Sequence, residues 1–271
     1  MSPRILSGLA LAGGIIAILL ATPPWAMGIV VVGAMFLATR EYLAMARPGA
    51  PRADQINLDL ACLAALAWPF VEPLVPAYEH GPALVAAFFI LAIGRLFRPL
   101  PIDTAMSRLG ADAVGMLYIG LTFPYVFQLR NLEHGGWVLV MVMAITFGSD
   151  TGAYFAGRLF GKHKLYEVVS PKKTIEGALG GLAVAVGAAF IARAWFPGHD
   201  RLSPLDCLVL GAGGATFAIL GDLVESLMKR AYGVKDSGTL IPGHGGALDR
   251  IDGLLFCGPF CWFYLRATGL W

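Results

Sequence analysis

Long apolar runs, each close to the length that crosses a bilayer, follow one another along almost the whole chain. A spanning helix needs about 20 apolar residues. Nine runs approach that length, at about 4–22, 25–46, 56–72, 82–97, 112–129, 136–158, 175–196, 205–231 and 252–269. In hydrocarbon every backbone polar group has to be bonded internally, which leaves only helices or a closed barrel. Unbroken apolar runs, rather than strict alternation, select helices. The expected fold is therefore all-α, a polytopic integral membrane protein of about nine transmembrane helices. Charged residues make up only 14% of the chain, against roughly 25% in soluble domains. A net charge of +2 gives no footprint for a nucleic-acid partner.

Lys and Arg accumulate on the cytoplasmic side of membrane proteins. With nine spans, sixteen of the twenty fall on the side that holds the N-terminus, and Arg130, Arg193, Arg201 and Arg266 fall on the other. The N-terminus is thus expected in the cytoplasm and the C-terminus outside. Arg4 and the apolar stretch after it have the outline of a signal peptide, but further apolar runs follow at once, so an uncleaved first span is expected. Pro23-Pro24 separates the first two runs. Residues 1–110 are expected to form N-terminal transmembrane helices, and 111–271 the catalytic region of one integrated membrane domain. Arg40-Glu41 and the arginines at 95 and 98 fit interfacial anchors. Gly177, Gly180, Gly181, Gly211, Gly213 and Gly214 suit close helix packing, with a homodimer as a further use. Cys62, Cys207, Cys257 and Cys261 lie inside apolar runs and form no CxxC, so buried free thiols are expected. His80, His134, His163 and His199 lack metal-ligand spacing.

Against this background the polar segments stand out, because charge beside hydrocarbon costs several kcal/mol. If the eighth run stays helical, Asp222, Glu225, Ser226 and Lys229 share one face. Such a face suits a metal or phosphate site, although an amphipathic helix end with a Glu225–Lys229 surface pair has the same pattern. Pro242-Gly243-His244-Gly245-Gly246 follows, a loop whose backbone can approach a ligand closely. Asp249 and Asp252 stand three apart at the mouth of the ninth run, where carboxylates can take Mg²⁺ together with substrate phosphates and water. Asp150 falls inside the sixth run, an intramembrane acid. Ser170-Pro171 has the form of an N-cap followed by Pro at the first helical position. That would put Lys172 and Lys173 in the first turn of the seventh helix. The helix dipole disfavours cations there, so an anionic ligand would explain them; solvated interfacial lysines are the alternative.

At these residues the chain resembles the phosphatidate cytidylyltransferases, or CDP-diacylglycerol synthases. That family's signature is matched by Ser226-Leu-Met-Lys229-Arg230, Lys235-Asp236-Ser-Gly, Ile241-Pro242-Gly-His244-Gly245-Gly246 and Asp249-Arg250-Ile251-Asp252. The segments Asp150-Thr-Gly-Ala-Tyr154 and Ser170-Pro-Lys-Lys-Thr-Ile-Glu-Gly177 are similar to it as well. The resemblance covers mainly residues 145–255.

The resemblance implies that CTP and phosphatidic acid give CDP-diacylglycerol and pyrophosphate in the bacterial inner membrane, at its cytoplasmic face. Both reactants are anionic, so Mg²⁺ and cationic groups are needed to offset repulsion, with a second metal or a monovalent cation as a further assistant. On that logic Asp222 and Asp249 are the expected metal ligands, followed by Ser226, Asp252 and Asp150. Lys172, Lys173, Lys229, Arg230, Lys235 and Arg250, with Gly245 and Gly246, are candidates for holding CTP or lipid phosphates, and His244 could touch phosphate through its ring. A secondary transporter with ion-coupling acids is the reading from another class, disfavoured because the charges gather on one side and no internal repeat is visible. A CDP-alcohol phosphotransferase is a second enzyme reading, disfavoured because no Ala-Arg follows Asp252-Gly253. Mg²⁺-dependent turnover of CTP separates enzyme from transporter.

Overall fold

A computed structural model describes residues 13–14, 16–17, 19–72, 74–75, 80–238 and 245–271. The helices are α1 (Pro24–Ala46), α2 (Arg52–Leu66), α3 (His80–Leu96), α4 (Ala105–Gly115), α5 (Phe123–Asn131), α6 (Gly135–Phe160), α7 (Ile175–Trp195), α8 (Pro204–Leu208), α9 (Gly214–Ala231) and α10 (Leu248–Ala267). A π-turn at Met116–Gly120 joins α4 to α5, and another at Val209–Gly213 joins α8 to α9. The only sheet among the described residues is a hairpin of β1 (Lys164–Tyr166) and β2 (Ser170–Thr174), with Lys164 opposite Thr174 and Tyr166 opposite Ser170.

Each apolar run from 25–46 onward is answered by a helix. The first run lies largely outside the described residues. Among the described residues five helical stretches are long and apolar enough to cross a membrane: Pro24–Ala46, Ile102–Asn131, Gly135–Phe160, Ile175–Trp195 and Pro204–Ala231, with His80–Leu96 a shorter apolar helix. The remaining runs contain helices that carry charge. Helix α2 holds Asp54 and Asp59 and is 15 residues long, and α10 opens on Asp249, Arg250 and Asp252. Pro23 precedes α1, whose first residue is Pro24. There the missing N–H costs nothing, because the first helical amides have no intrahelical partner.

Small residues set the packing of α6 on α7. A Cβ on Gly180 would lie 2.2 Å from the Cβ of Ala156, and one on Gly181 would lie 2.7 Å from the carbonyl oxygen of Ser149. Only glycine permits backbones that close. The same device brings α9 against α10, where a Cβ on Gly221 would meet the Asp252 carbonyl oxygen at 2.5 Å. This contact sets Asp222 beside the start of α10. The four cysteines are free and buried. Buried apolar residues run from Leu19 to Leu265 in one cluster that draws on both halves of the chain.

The first half is not the featureless bundle its hydropathy suggests. Arg95, expected as an interfacial anchor, is 4% exposed and sits among Asp54 (1%) and Asp112 (2%). Its Nη2 donates to Asp112 at 2.8 Å and to Asp54 at 3.1 Å. Arg47 donates to both oxygens of Asp112 at 2.7 and 2.8 Å and also pairs with Asp54. Burial opposes ionisation of Asp54, but the guanidinium groups of Arg47 and Arg95 override it and hold the carboxyl below its ordinary range. The network links the end of α1 to α2, α3 and α4. It corrects the anchor reading of Arg95: Arg47 and Arg95 pair with Asp54 and Asp112 inside the protein, and Arg98 Nε stands 3.2 Å from Asp54.

Candidate active site

Helix α9 carries its polar residues on one face, as the spacing requires. Ser226 donates to Asp222 Oδ1 at 3.2 Å. One turn on, the Lys229 ammonium donates to Glu225 Oε2 and to Asp249 Oδ1, both at 2.6 Å. Glu225, Ser226 and Lys229 are buried. The amphipathic surface pair is therefore excluded: Lys229 bridges α9 to α10 inside the protein.

Asp249 is the most heavily bonded group of the site. Its second oxygen accepts from the Ser237 amide at 3.0 Å, the Ser237 hydroxyl at 2.9 Å and the Gly246 amide at 2.8 Å. Gly245 takes φ +79°, the left-handed region in which a Cβ is unfavourable. A Cβ there would also lie 2.7 Å from Asp249 Oδ2. The glycine run thus wraps its own aspartate. Gly246, expected among the phosphate-holding glycines, has its amide committed to Asp249, and any metal at Asp249 would compete with these donors for the same lone pairs.

The hairpin supplies the opposite wall and a second correction. Ser170 and Pro171 do not cap α7. They lie in β2, and Thr174 is the cap, its hydroxyl accepting from the Gly177 amide at 3.1 Å. Lys172 and Lys173 therefore sit on a strand ahead of the helix, where the α7 dipole does not act along their own turn. Strand pairing of Thr174 with Lys164 extends the chain through these residues and moves the helix start four residues on. Lys173 reaches α9, with its Nζ 2.7 Å from Asp222 Oδ2. Glu176 fixes the hairpin's base by accepting from the amides of Lys162 at 3.1 Å and His163 at 3.2 Å.

Between α6, the hairpin, α7 and α9 lies a cleft of about 500 Å³, lined by Asp150, Arg158, Lys172, Lys173 and Asp222 among others. That volume lies within the usual range for small-molecule sites. One cleft thus carries a carboxylate and a guanidinium on α6, two lysines on the hairpin and a carboxylate on α9, with Lys173 and Asp222 paired across it. Asp252 lies within electrostatic reach of Asp222, Asp150 and Lys229, and Asp150 within reach of Asp222 and Lys173. Among the described residues no three of His, Cys, Asp and Glu converge as a preformed metal cage. The acids nonetheless offer hard oxygen donors that repel one another, the donor chemistry of a magnesium site completed by substrate.

Not every expected residue reaches the cleft. Arg230 donates to the carbonyls of Val169 at 3.4 Å and Val234 at 3.0 Å, tying the hairpin to the segment after α9. Lys235 and Arg250 are exposed outside the cleft lining. His244 lies outside the described residues. Beyond Arg158 of the cleft lining, to which the sequence assigns no role, two more residues of the site were not expected. Ser237 is one. Glu41 on α1 is the other: it accepts from the amides of Ala247 at 2.9 Å and Leu248 at 2.8 Å, and from the Ser237 hydroxyl at 3.3 Å. No local signal marks Glu41, which bonds across 206 residues of chain to Ala247.

Comparison with known proteins gives the chain its family. Residues 2–268 match the model of the Cytidylyltransferase family. The phosphatidate cytidylyltransferase of Mycobacterium bovis is 34% identical over 276 residues, covering 96% of this chain and 87% of that protein. The phosphatidate cytidylyltransferase of Bacillus subtilis is 35% identical over 205 residues, with 74% and 76% covered. That of Haemophilus influenzae is 45% identical over 136 residues, with 48% and 46% covered.

Proposed function

Because this chain belongs to the cytidylyltransferase family, we propose that it transfers the cytidylyl group of CTP to phosphatidic acid, giving CDP-diacylglycerol and pyrophosphate. The observation that carries this reading is the cleft that brings Arg158, Lys172 and Lys173 together with Asp150 and Asp222. Two polyanionic reactants need cations, and any metal needs carboxylates, and this one cleft offers both.

In the reaction an oxygen of the lipid phosphate attacks the α-phosphorus of CTP. A new P–O bond forms, the bond from the α-phosphorus to the bridging oxygen breaks, and pyrophosphate leaves with the electron pair. The nucleophile is already an anion near neutral pH, so no strong base is required. Lys172, Lys173 and Arg158 neutralise the triphosphate and the charge that grows on the leaving group. Lys229, clamped between Glu225 and Asp249, holds α10 in register with α9 and so fixes Asp252 against Asp222. Magnesium bound by Asp222 with Asp150 and Asp252, and by Ser226 and Asp249 if their present hydrogen bonds yield, would supply Lewis-acid neutralisation of phosphate oxygens.

The protein is proposed to work in the bacterial inner membrane, with nine spans, the N-terminus inside and the cleft open to the cytoplasm, where CTP is made. The charge asymmetry supports that orientation. The deciding experiment is release of pyrophosphate by protein purified in detergent, given CTP, phosphatidate and Mg²⁺. Release that needs all three is expected. No release, or release without phosphatidate, would overturn the proposal.

A further inference from the structure

We infer that Glu41 is a positioning residue for the reaction proposed above: its carboxylate clasps both ends of the 238–246 segment and so sets Asp249 and Lys229 in the site. On one side Glu41 stands 3.3 Å from the Ser237 hydroxyl, whose single proton it shares with Asp249 at 2.9 Å, and on the other it accepts from the amides of Ala247 and Leu248 at 2.9 and 2.8 Å. Those amides open α10 and have no intrahelical partner of their own. A carboxylate at that end also meets the favourable end of the helix dipole.

The surrounding glycines fit the same function. A Cβ on Gly238 would lie 2.7 Å from Glu41 Oε1, 2.8 Å from its Cδ and 3.0 Å from its Cγ, so that its three nearest neighbours all belong to Glu41. A Cβ on Gly246 would lie 2.5 Å from Glu41 Oε2 and 2.4 Å from the Ser237 hydroxyl. Two glycines on opposite sides of the segment thus leave room for one side chain from α1. Ser237 joins that clasp to the site itself, because its hydroxyl stands within reach of both Glu41 and Asp249. The Glu41 carboxylate also consumes the helix N-terminal amides that would otherwise be open to a phosphate, which leaves the cleft cations to hold the triphosphate.

Glu41→Gln keeps the volume but turns an NH₂ toward an amide donor. The expected result is a fall in kcat of tenfold or more with KM for CTP changed less than twofold, and faster amide hydrogen exchange at 246–248 than in the parent protein. Gly238→Ala should show the same pattern, and the loss it causes should shrink at least threefold when placed on Glu41→Ala, because the closest obstruction is then gone. Unchanged exchange at 246–248 in Glu41→Gln, a change confined to KM, or additive effects of Gly238→Ala and Glu41→Ala would each overturn the inference. Exchange and its coupling are measured without turnover. A parent protein that failed to use CTP would therefore refute the proposed activity and leave the clasp to be judged by exchange alone.

Discussion

Lys173 on the hairpin and Asp222 on α9 form an ion pair across the cleft, Nζ to Oδ2 2.7 Å, between segments 49 residues apart in sequence. Neither partner is fully buried, so the pair is open to exchange with an incoming ligand. A triphosphate arriving with magnesium would offer the lysine an anion and the aspartate a cation. The pair therefore holds the two halves of the site together, and an incoming triphosphate with magnesium is expected to dissolve it.

The first prediction follows. Lys173→Ala should raise KM for CTP about tenfold or more, since charge-assisted contacts contribute roughly 1.5–3 kcal/mol each. Lys172→Ala, which has no carboxylate to release, should show the loss of ligand contact alone. If the lysines hold the lipid phosphate instead, the change will appear in the phosphatidate dependence. Steady-state kinetics with each substrate varied in turn distinguishes the two, and unaltered kinetics for both would return the lysines to interfacial anchors.

Asp249→Asn should abolish turnover and also loosen the loop. The side chain accepts from Lys229, from Ser237 twice and from Gly246, and an amide nitrogen cannot accept from any of them. At least one donor is left facing another donor, at about 1–3 kcal/mol. The measurement is activity together with the thermal midpoint in detergent. An active variant with an unchanged midpoint would remove Asp249 from both roles.

What the sequence revealed and what it hid divide by distance along the chain. The helices were legible because hydropathy is local, and the face of Asp222, Glu225, Ser226 and Lys229 because helical spacing is local. Gly180 and Gly181 could be assigned to close packing from residue type alone. The start of α7 was misplaced because Ser170-Pro171 and Thr174 both offer capping chemistry. Pairing of Thr174 with Lys164 in the hairpin decides between them, and no propensity within the helix encodes it. Glu41 and the Arg47–Asp54–Arg95–Asp112 network were illegible for one reason: each charge looks like an anchor until the fold brings it to a partner on another helix.

That network gives a stability prediction. Arg95→Ala would leave Asp54 and Asp112 buried with one guanidinium fewer. Removing one partner from a buried ionic group costs about 3–5 kcal/mol, so the thermal midpoint should fall by several degrees or more. Arg95 lies outside the cleft, and kcat at low temperature, per folded molecule, should be little changed. A midpoint equal to the parent's would show the network to be replaceable by water or by Arg98, whose Nε stands 3.2 Å from Asp54.

The last prediction tests orientation. The four native cysteines are buried, so their replacement by serine or alanine should give a quiet background for labelling. Lys162 precedes the hairpin and Lys235 follows α9, both are exposed, and nine spans would put both on the arginine- and lysine-rich side. Leu74, 82% exposed, stands between α2 and α3 on the side with few cations. Cysteines at 162 and 235 should react with a membrane-impermeant maleimide only after the inner face is opened, and a cysteine at 74 should react in intact cells. The two outcomes are linked by the number of spans between them: 162 and 235 are separated by α7 and by α8 with α9, an even crossing, so they have to share a side. Labelling of 162 and 235 from opposite sides would break the helical hairpin that α7 and α9 form around the cleft. Labelling of both from outside would keep the fold and invert the membrane, turning the site away from cytoplasmic CTP.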